Sequence, residues 1–323
     1  MNRVAIAALA AAATCCAGSV LAQQPAGPPV GPDWSKIEVK TTDLGNRTYM
    51  LEGLGGNTTI AVGDDGVIMV DGQFAPLHDK LKAAIAVVTP QRVRFLVNTH
   101  YHRDHVGGNE PFSKDGGVVV AHENVRNRLA AGTTMAVPEV KYTPAPPEAL
   151  PTMTHKGGMT LEVKGRTAQL KHPMNAHTDG DTFVFFADAN VLSTGDTVTI
   201  GRYPNIDFAN GGSINGMIAA ADGYLAITNE STKIVPGHLP VATKAQLAEY
   251  RAMLATARDR MAALIKDRKS ERHICRQTIR RSRHQMGAER TSGRQFHARG
   301  FCESEAVDRL GCGSMDARNP GNF

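Results

Sequence analysis

Between Asn98 and Asn109 the chain reads NTHYHRDHVGGN, and His100, His102, Asp104 and His105 fall within six positions. No other stretch constrains this chain as strongly. The 323 residues contain only 12 histidines, so three of them in six positions is far from background. Residues two apart lie on different sides of a helix, so a helix cannot aim both His100 and His102 at one place. A loop leaving a strand end can. The preceding RFLVNTH has the apolar run of a buried strand, and the cluster begins where that strand stops. Gly107 and Gly108 then permit a tight turn, and VGGNEPF has the character of a helix start. Neutral imidazole nitrogen and carboxylate oxygen are donors suited to zinc and related divalent ions.

One such cluster does not close two metal sites, so further ligands must come from the ends of later strands. His177 lies in HPMNAHTDGDT just before a strand, Asp196 ends VLSTGD, and His238 ends KIVPGH. Open α/β folds place their ligand groups at such strand ends. The surrounding pattern supports that placement. TYMLE, NTTIAVG and GVIMVDG read as strands, with Asp65-Gly66 as a hairpin turn. PLHDKLKAAIAVV has helical spacing, GVVVAHEN is another strand, and a helix follows at Asn124–Ala131. Residues 133–158 read as a long loop, and its part around Pro138–Pro151 is a candidate lid over substrate.

The logic then repeats: MTLEVKGRTAQLKH as a hairpin, DTFVFFADANVLSTGD as two strands, INGMIAAADGYLAI as a helix and TKIVPGH as a strand. A long amphipathic helix follows, with Leu247, Tyr250, Leu254, Met261, Leu264 and Ile265 on its apolar face. Strands interleaved with helices in two halves predict two sheets with helices outside.

HYHRDH, AHTDGDT, STGDT and VPGH, in that order, resemble the metallo-β-lactamase-fold hydrolase superfamily over about residues 40–267. The resemblance implies an α+β fold, a four-layer αββα sandwich, with a two-metal site at one edge of the sheets. It implies two Zn²⁺ per chain. His100, His102 and His177 would bind the first, and Asp104, His105 and His238 the second. Asp196 would bridge both, together with a water-derived hydroxide that attacks a carbonyl carbon. Asp104 would also orient that nucleophile as the catalytic residue. The implied enzyme is a zinc-dependent hydrolase of lactam, lactone or other ester-type small molecules. Zinc β-lactamases with this motif mostly carry Cys or Ser where Asp196 stands, so a strict β-lactamase is the alternative rather than the first reading. A diiron redox protein on the same ligand set is the alternative of another class. Among nearby residues, Asp71 at the end of VIMVDG is a candidate to hold a metal-bound histidine; Asn98, Thr99 and Thr178 stay unassigned. Tyr203 or Asn205, in GRYPNIDFANGGS, is a candidate oxyanion donor.

The ends of the sequence read differently from the body. Residues 1–22 have one basic residue, a small-apolar run and Val20-Leu21-Ala22, which predicts a signal peptide cleaved after Ala22. The expected location is periplasmic or secreted. Residues 23–35 form a Pro- and Gly-rich linker, and residues 36–267 the hydrolase domain. No later stretch is apolar enough to span a membrane. No cysteine lies between residues 17 and 274, which leaves that domain without disulfides or thiolate ligands.

Residues 268–323 hold 11 Arg and one Lys against six acidic residues. The rest of the chain holds 24 basic against 25 acidic residues, so the basic balance is no sign of nucleic-acid binding by the body. The tail's apolar residues follow neither helix nor strand period. A disordered, Arg-rich tail is expected there, with out-of-frame reading of the gene from about codon 268 as its proposed origin.

Overall fold

Apolar β-branched runs make the centre of this protein. In the computed structural model, which describes residues 32–267, β3 (Thr58–Val62), β4 (Val67–Val70) and β13 (Val191–Gly195) are buried at every residue. Strands buried throughout need cover on both faces, and here each sheet has the other sheet on one side and helices on the opposite side. The sequence readings for residues 1–22, for most of the linker and for residues 268–323 lie outside the described residues. Contacts divide the chain between Ser35 and Lys36. On the first side, Asp33 Oδ1 accepts from the Ser35 amide and hydroxyl at 3.2 and 2.6 Å.

The first sheet has seven strands, in the order β1 (Lys40–Gly45), β2 (Thr48–Glu52), β3, β4, β5 (Val93–Val97), β6 (Val118–His122) and β9 (Met153–His155). Its β1–β4 half is antiparallel, and its β4-β5-β6-β9 half is parallel. Parallel neighbours need crossovers. These are α1 (His78–Val88), the pair α2 (Arg103–Val106) and α3 (Asn109–Lys114), and a third beginning with α4 (Glu123–Ala131). The second sheet runs β10 (Gly158–Val163), β11 (Arg166–Lys171), β12 (Phe183–Phe186), β13 and β14 (Lys233–Pro236). Only β13–β14 is parallel, joined through α5 (Ile214–Ile227). A separate two-stranded ribbon pairs β7 (Thr133–Met135) with β8 (Val140–Tyr142).

Between the sheets, Val70, Val97 and Val120 meet Leu161, Leu170, Val184, Val191 and Val235. Outside the second sheet, α5 and α6 (Lys244–Lys266) bury Met217, Ile218, Leu247 and Leu254 against Phe183, Leu192 and Ile234. Each such side chain taken from water contributes about 1.5–3 kcal/mol. Outside the first sheet, α3 packs on β5 and β6, and α4 on β6. The result is the four-layer αββα sandwich. Helix α6 starts on a capping box between Thr243 and Gln246. Its stripe is buried as far as Met261, while Leu264 and Ile265 are half-buried.

Two expectations change. Strand β1 was not expected, because KTTDLG is polar and lies at the edge, exposed at four of its six residues. Residues 133–158 are not one loop: they supply the β7–β8 ribbon and the edge strand β9. Their Thr and Pro content hides three-residue strands that only pairing stabilises. Among the described residues, no helix is long and apolar enough to cross a membrane.

Candidate metal centre

The parallel strand ends deliver the cluster to one place. His100 and His102 stand in the bent segment after β5, whereas Asp104 and His105 ride on α2, a single helical turn. That turn is pinned from both sides, since the Asp104 carbonyl accepts from Gly56 N at 3.1 Å and the His105 carbonyl from Gly72 N at 2.8 Å. Gly107 and Gly108 serve close packing rather than an unusual turn. Both have ordinary right-handed angles, but a Cβ at 107 would run into the Gln73 and Arg103 carbonyls, and one at 108 into the Gly72 backbone. Asp196 follows β13 and His238 follows β14. Gly237 lets the two meet, because any Cβ there would overlap Asp196 Oδ1.

All seven candidate residues come together, in two groups. His100, His102, His177 and Asp196 form one; Asp104, His105 and His238 form the other; within each, one donor atom per residue lies within 4.8 Å of the rest. His102 Nδ1 sits 3.1 Å from both His100 Nε2 and His177 Nε2. His238 Nε2 is 3.3 Å from His105 Nε2 and 3.2 Å from Asp104 Oδ2. Asp196 lies between the groups. Its Oδ1 is 3.5 Å from both His105 Nε2 and His238 Nε2, and its Oδ2 is 3.8 Å from His177 Nε2 and 4.0 Å from His100 Nε2.

The outward nitrogens decide what the inward ones carry. His177 Nδ1 donates to the Asn205 carbonyl at 2.8 Å, His105 Nδ1 to Asp71 at 2.8 Å, and His102 Nε2 to Asp207 at 3.2 Å. Thr99 Oγ1 gives its hydrogen to Asp71 at 2.7 Å, so it accepts from His100 Nδ1 at 3.0 Å. In the neutral imidazole only one nitrogen bears hydrogen. When neutral, these four rings turn lone pairs inward, some at 3.1 Å from one another. Asp196 Oδ1 is buried with no hydrogen-bond donor. Facing lone pairs and an orphaned carboxylate oxygen repel unless positive charge sits among them, so the donor set fits divalent cations.

The electrostatics agree. Burial opposes charge on Asp104, but His105 and His238 hold its carboxyl down at about 2. Burial likewise opposes charge on Asp196, yet His238 and His105 keep it well below the usual carboxylate range. His238 is pushed up to about 11, chiefly by Asp196. His105 reaches about 9, as Asp104, Asp196 and Asp71 outweigh its burial. Without a cation, these carboxylates recruit protons in its place. His100 goes the other way, well below the ordinary histidine value, through burial and three neighbouring imidazoles.

The supporting residues were partly legible. Asp71 holds His105, and it also accepts from Thr99 N at 2.7 Å. Thr178 and the His177 amide both bind the Asp181 carboxylate, which shapes the loop. The side chains of Asn98 and Asn109 brace each other at 2.8 and 2.9 Å. Asn205 contributes its backbone carbonyl to His177, and the Tyr203 ring packs against the α5–α6 cluster. Asp207, Tyr101 and Asn210 were missed. Asp207 lies 105 residues from His102 in sequence, and no local pattern marks it.

The Metallo-beta-lactamase superfamily profile matches residues 51–238. The chain belongs to that superfamily. Among curated relatives, it is 27% identical over 184 residues to 2,4-dinitroanisole O-demethylase subunit alpha of Nocardioides sp. (strain JS1661), covering 56% of this chain and 52% of that one. It is 29% identical over 176 residues to a hydroxyacylglutathione hydrolase of Nitrosococcus oceani, covering 50% and 55%. A coenzyme F420H(2) oxidase of Methanothermobacter marburgensis matches at 27% over 160 residues, covering 48% and 37%. The chain spans about half the length, or less, of these curated relatives. A metallo-β-lactamase from Pontibacter korlensis shares the fold of this superfamily member at a TM-score of 0.57 and 18% identity, covering 68% of this chain and 99% of that one.

Proposed function

We propose that this superfamily member is an exported hydrolase that holds two zinc ions and cleaves a carbonyl substrate of lactam, lactone or other ester type. The observation that supports it most is the convergence of inward imidazole lone pairs on Asp104 and Asp196, with no donor for Asp196 Oδ1. His100, His102 and His177 would hold one ion and Asp104, His105 and His238 the other, with one Asp196 oxygen for each. Such ions supply Lewis acidity and bring the pKa of water from about 15.7 to about 7. Asp104, ionised at neutral pH and at the more exposed side of the group, would accept a hydrogen bond from the attacking water and orient it.

An aspartate at position 196, rather than Cys or Ser, supports esters and lactones ahead of β-lactams. The hydroxyacylglutathione hydrolases among the relatives add thioesters to the same acyl-transfer class. Export, to the periplasm or beyond, rests on the leader-like residues 1–22.

Metal analysis of purified protein and a hydrolysis panel test the reading together. About two zinc per chain and turnover of p-nitrophenyl esters, a lactone or an acyl thioester are expected, with weak nitrocefin turnover. Near-zero metal with no gain on adding Zn²⁺ overturns it. Nitrocefin turnover in the usual enzyme range, about 10⁴–10⁸ M⁻¹s⁻¹, makes the protein a β-lactamase in the strict sense. Two irons and no hydrolysis would place it with redox proteins.

A further inference from the structure

Behind His102 lies a buried polar network that the ligand chemistry does not require. Asp207 is 2% exposed, Asn210 is 2% exposed and Tyr101 is 1% exposed. Asp207 Oδ2 accepts from His102 Nε2, from the Tyr101 hydroxyl and from Asn210 Nδ2. The Asp207 amide donates to the His177 carbonyl at 2.9 Å. One residue thus grips two of the three imidazoles in the first group, His102 by its side chain and His177 by its backbone.

The network also reaches away from the centre. Asn210 Nδ2 lies 3.0 Å from the Thr134 carbonyl, and Asn210 Oδ1 accepts from Thr133 Oγ1 and from Arg128, both at 2.6 Å. Arg128 in turn pairs with Asp179 in the loop that carries His177. The β7–β8 ribbon is tied in a second way. The Tyr142 ring meets the Tyr101 ring edge-on at 5.2 Å and lies parallel to the His102 ring at 6.1 Å. A fully buried carboxylate costs several kcal/mol unless its partners compensate, so one kept among this many donors is held for its orientation.

We propose that Asp207 is a positioning residue, which fixes the tautomer and direction of His102, and that Tyr101 and Asn210 lock Asp207 and couple the β7–β8 ribbon to the first ligand group. This rests on reading the site as a metal centre. With Asp207 accepting from Nε2, the His102 hydrogen stays outward and the Nδ1 lone pair stays inward. The phenol adds a second donor to the same carboxylate oxygen.

The test is zinc titration against a chromophoric chelator for the wild type, Asp207→Ala, Asp207→Asn and Tyr101→Phe. Hydrogen exchange of residues 133–142 is measured with and without zinc. The expected result is a loss of about 10–100-fold in affinity for one of the two ions in Asp207→Ala. Asp207→Asn keeps the volume and loses affinity in the same direction, and Tyr101→Phe loses less. Zinc slows exchange in the ribbon of the wild type but not of Asp207→Ala. A purely structural role would lower the melting temperature of metal-free protein and leave the affinity of the folded molecules unchanged. Wild-type affinity for both ions in folded Asp207→Asn and Tyr101→Phe overturns the proposal, as does equal weakening of both sites. A wild type that takes up no zinc at all defeats instead the reading on which the proposal rests.

Discussion

Among the described residues, histidines gather in two places, and the two differ in the charges that face them. In the first, His105 and His238 face Asp71, Asp104 and Asp196 and are pushed up to about 9 and about 11. In the second, His122, His155 and His172 meet where the two sheets approach each other beside β12. The His122 and His172 rings stack with centroids 4.0 Å apart, and His155 is 5.6 Å from His122. Their partners are neutral: His122 donates to the Lys156 carbonyl, His172 to the Asp181 carbonyl, and His155 Nε2 pairs with Thr182 Oγ1. Burial, then His122 and His172, push His155 down to about 4. His122 is lowered as well, by burial and His172, against weaker pulls from its backbone bond to Lys156 and from Glu123 and Asp179. Carboxylates aimed into the same space raise clustered imidazoles, and neutral partners do not.

The sharpest way to break this comparison is to remove one residue from each gathering. His102→Ala or Asp196→Ala should cut kcat/KM by at least about 100-fold and bring zinc below two per chain. His155→Gln should leave both close to wild type. Metal analysis and kinetics on the three variants check this, and zinc loss in His155→Gln would erase the distinction.

Proton counting probes the same contrast without mutation. In metal-free protein at pH 7, His105 and His238 lie below their values of about 9 and about 11 and carry extra protons. Zinc must displace them, so saturation should release about two protons per chain, read with an indicator dye in weak buffer. His155, at about 4, is already neutral at pH 7 and adds none.

Acid stability should set the groups apart by a smaller margin. The value of about 4 for His155 lies below the ordinary 6.5, so the folded state binds fewer protons than the unfolded chain. The stability this contributes is present above pH 6.5 and is lost as pH falls toward 4. Its size is about 3 kcal/mol. Denaturant unfolding of metal-free protein at pH 7 and pH 4.5 should show wild type losing more than His155→Gln. The mildest test is Thr182→Ala, which removes the hydroxyl paired with His155 at 3.2 Å. It should cost about 1 kcal/mol at pH 7 and leave zinc content unchanged.

The sequence located the chemistry better than it located the frame around it. HYHRDH, AHTDGDT, STGDT and VPGH each stand at a strand end, and strand ends are marked by apolar runs that stop abruptly. The alternation of those runs with helical spacing implied two sheets with helices outside, and the four-layer αββα sandwich came from the family resemblance. Edge elements escaped, because β1 and β9 are short or polar and owe their existence to a neighbouring strand. Asp71 was legible because it too ends a strand. Asp207 was not, since a carboxylate in a Pro-, Asn- and Gly-rich segment carries no periodic signal.

What the sequence determined alone is therefore the set of donor types and the order in which strands present them. Local spacing and burial period encode that much. Tertiary structure alone decided which histidines face carboxylates and which face only carbonyls and each other. His122 and His155 are the same residue type as His105 and His238, and residue type alone does not separate the two kinds. His105 is raised, against its burial, by Asp104 beside it in the chain and by Asp196 and Asp71 far from it, whereas His155 is lowered by burial and by His122 and His172. Coulomb attraction and desolvation depend on distance and burial in space, and neither is written in the local sequence.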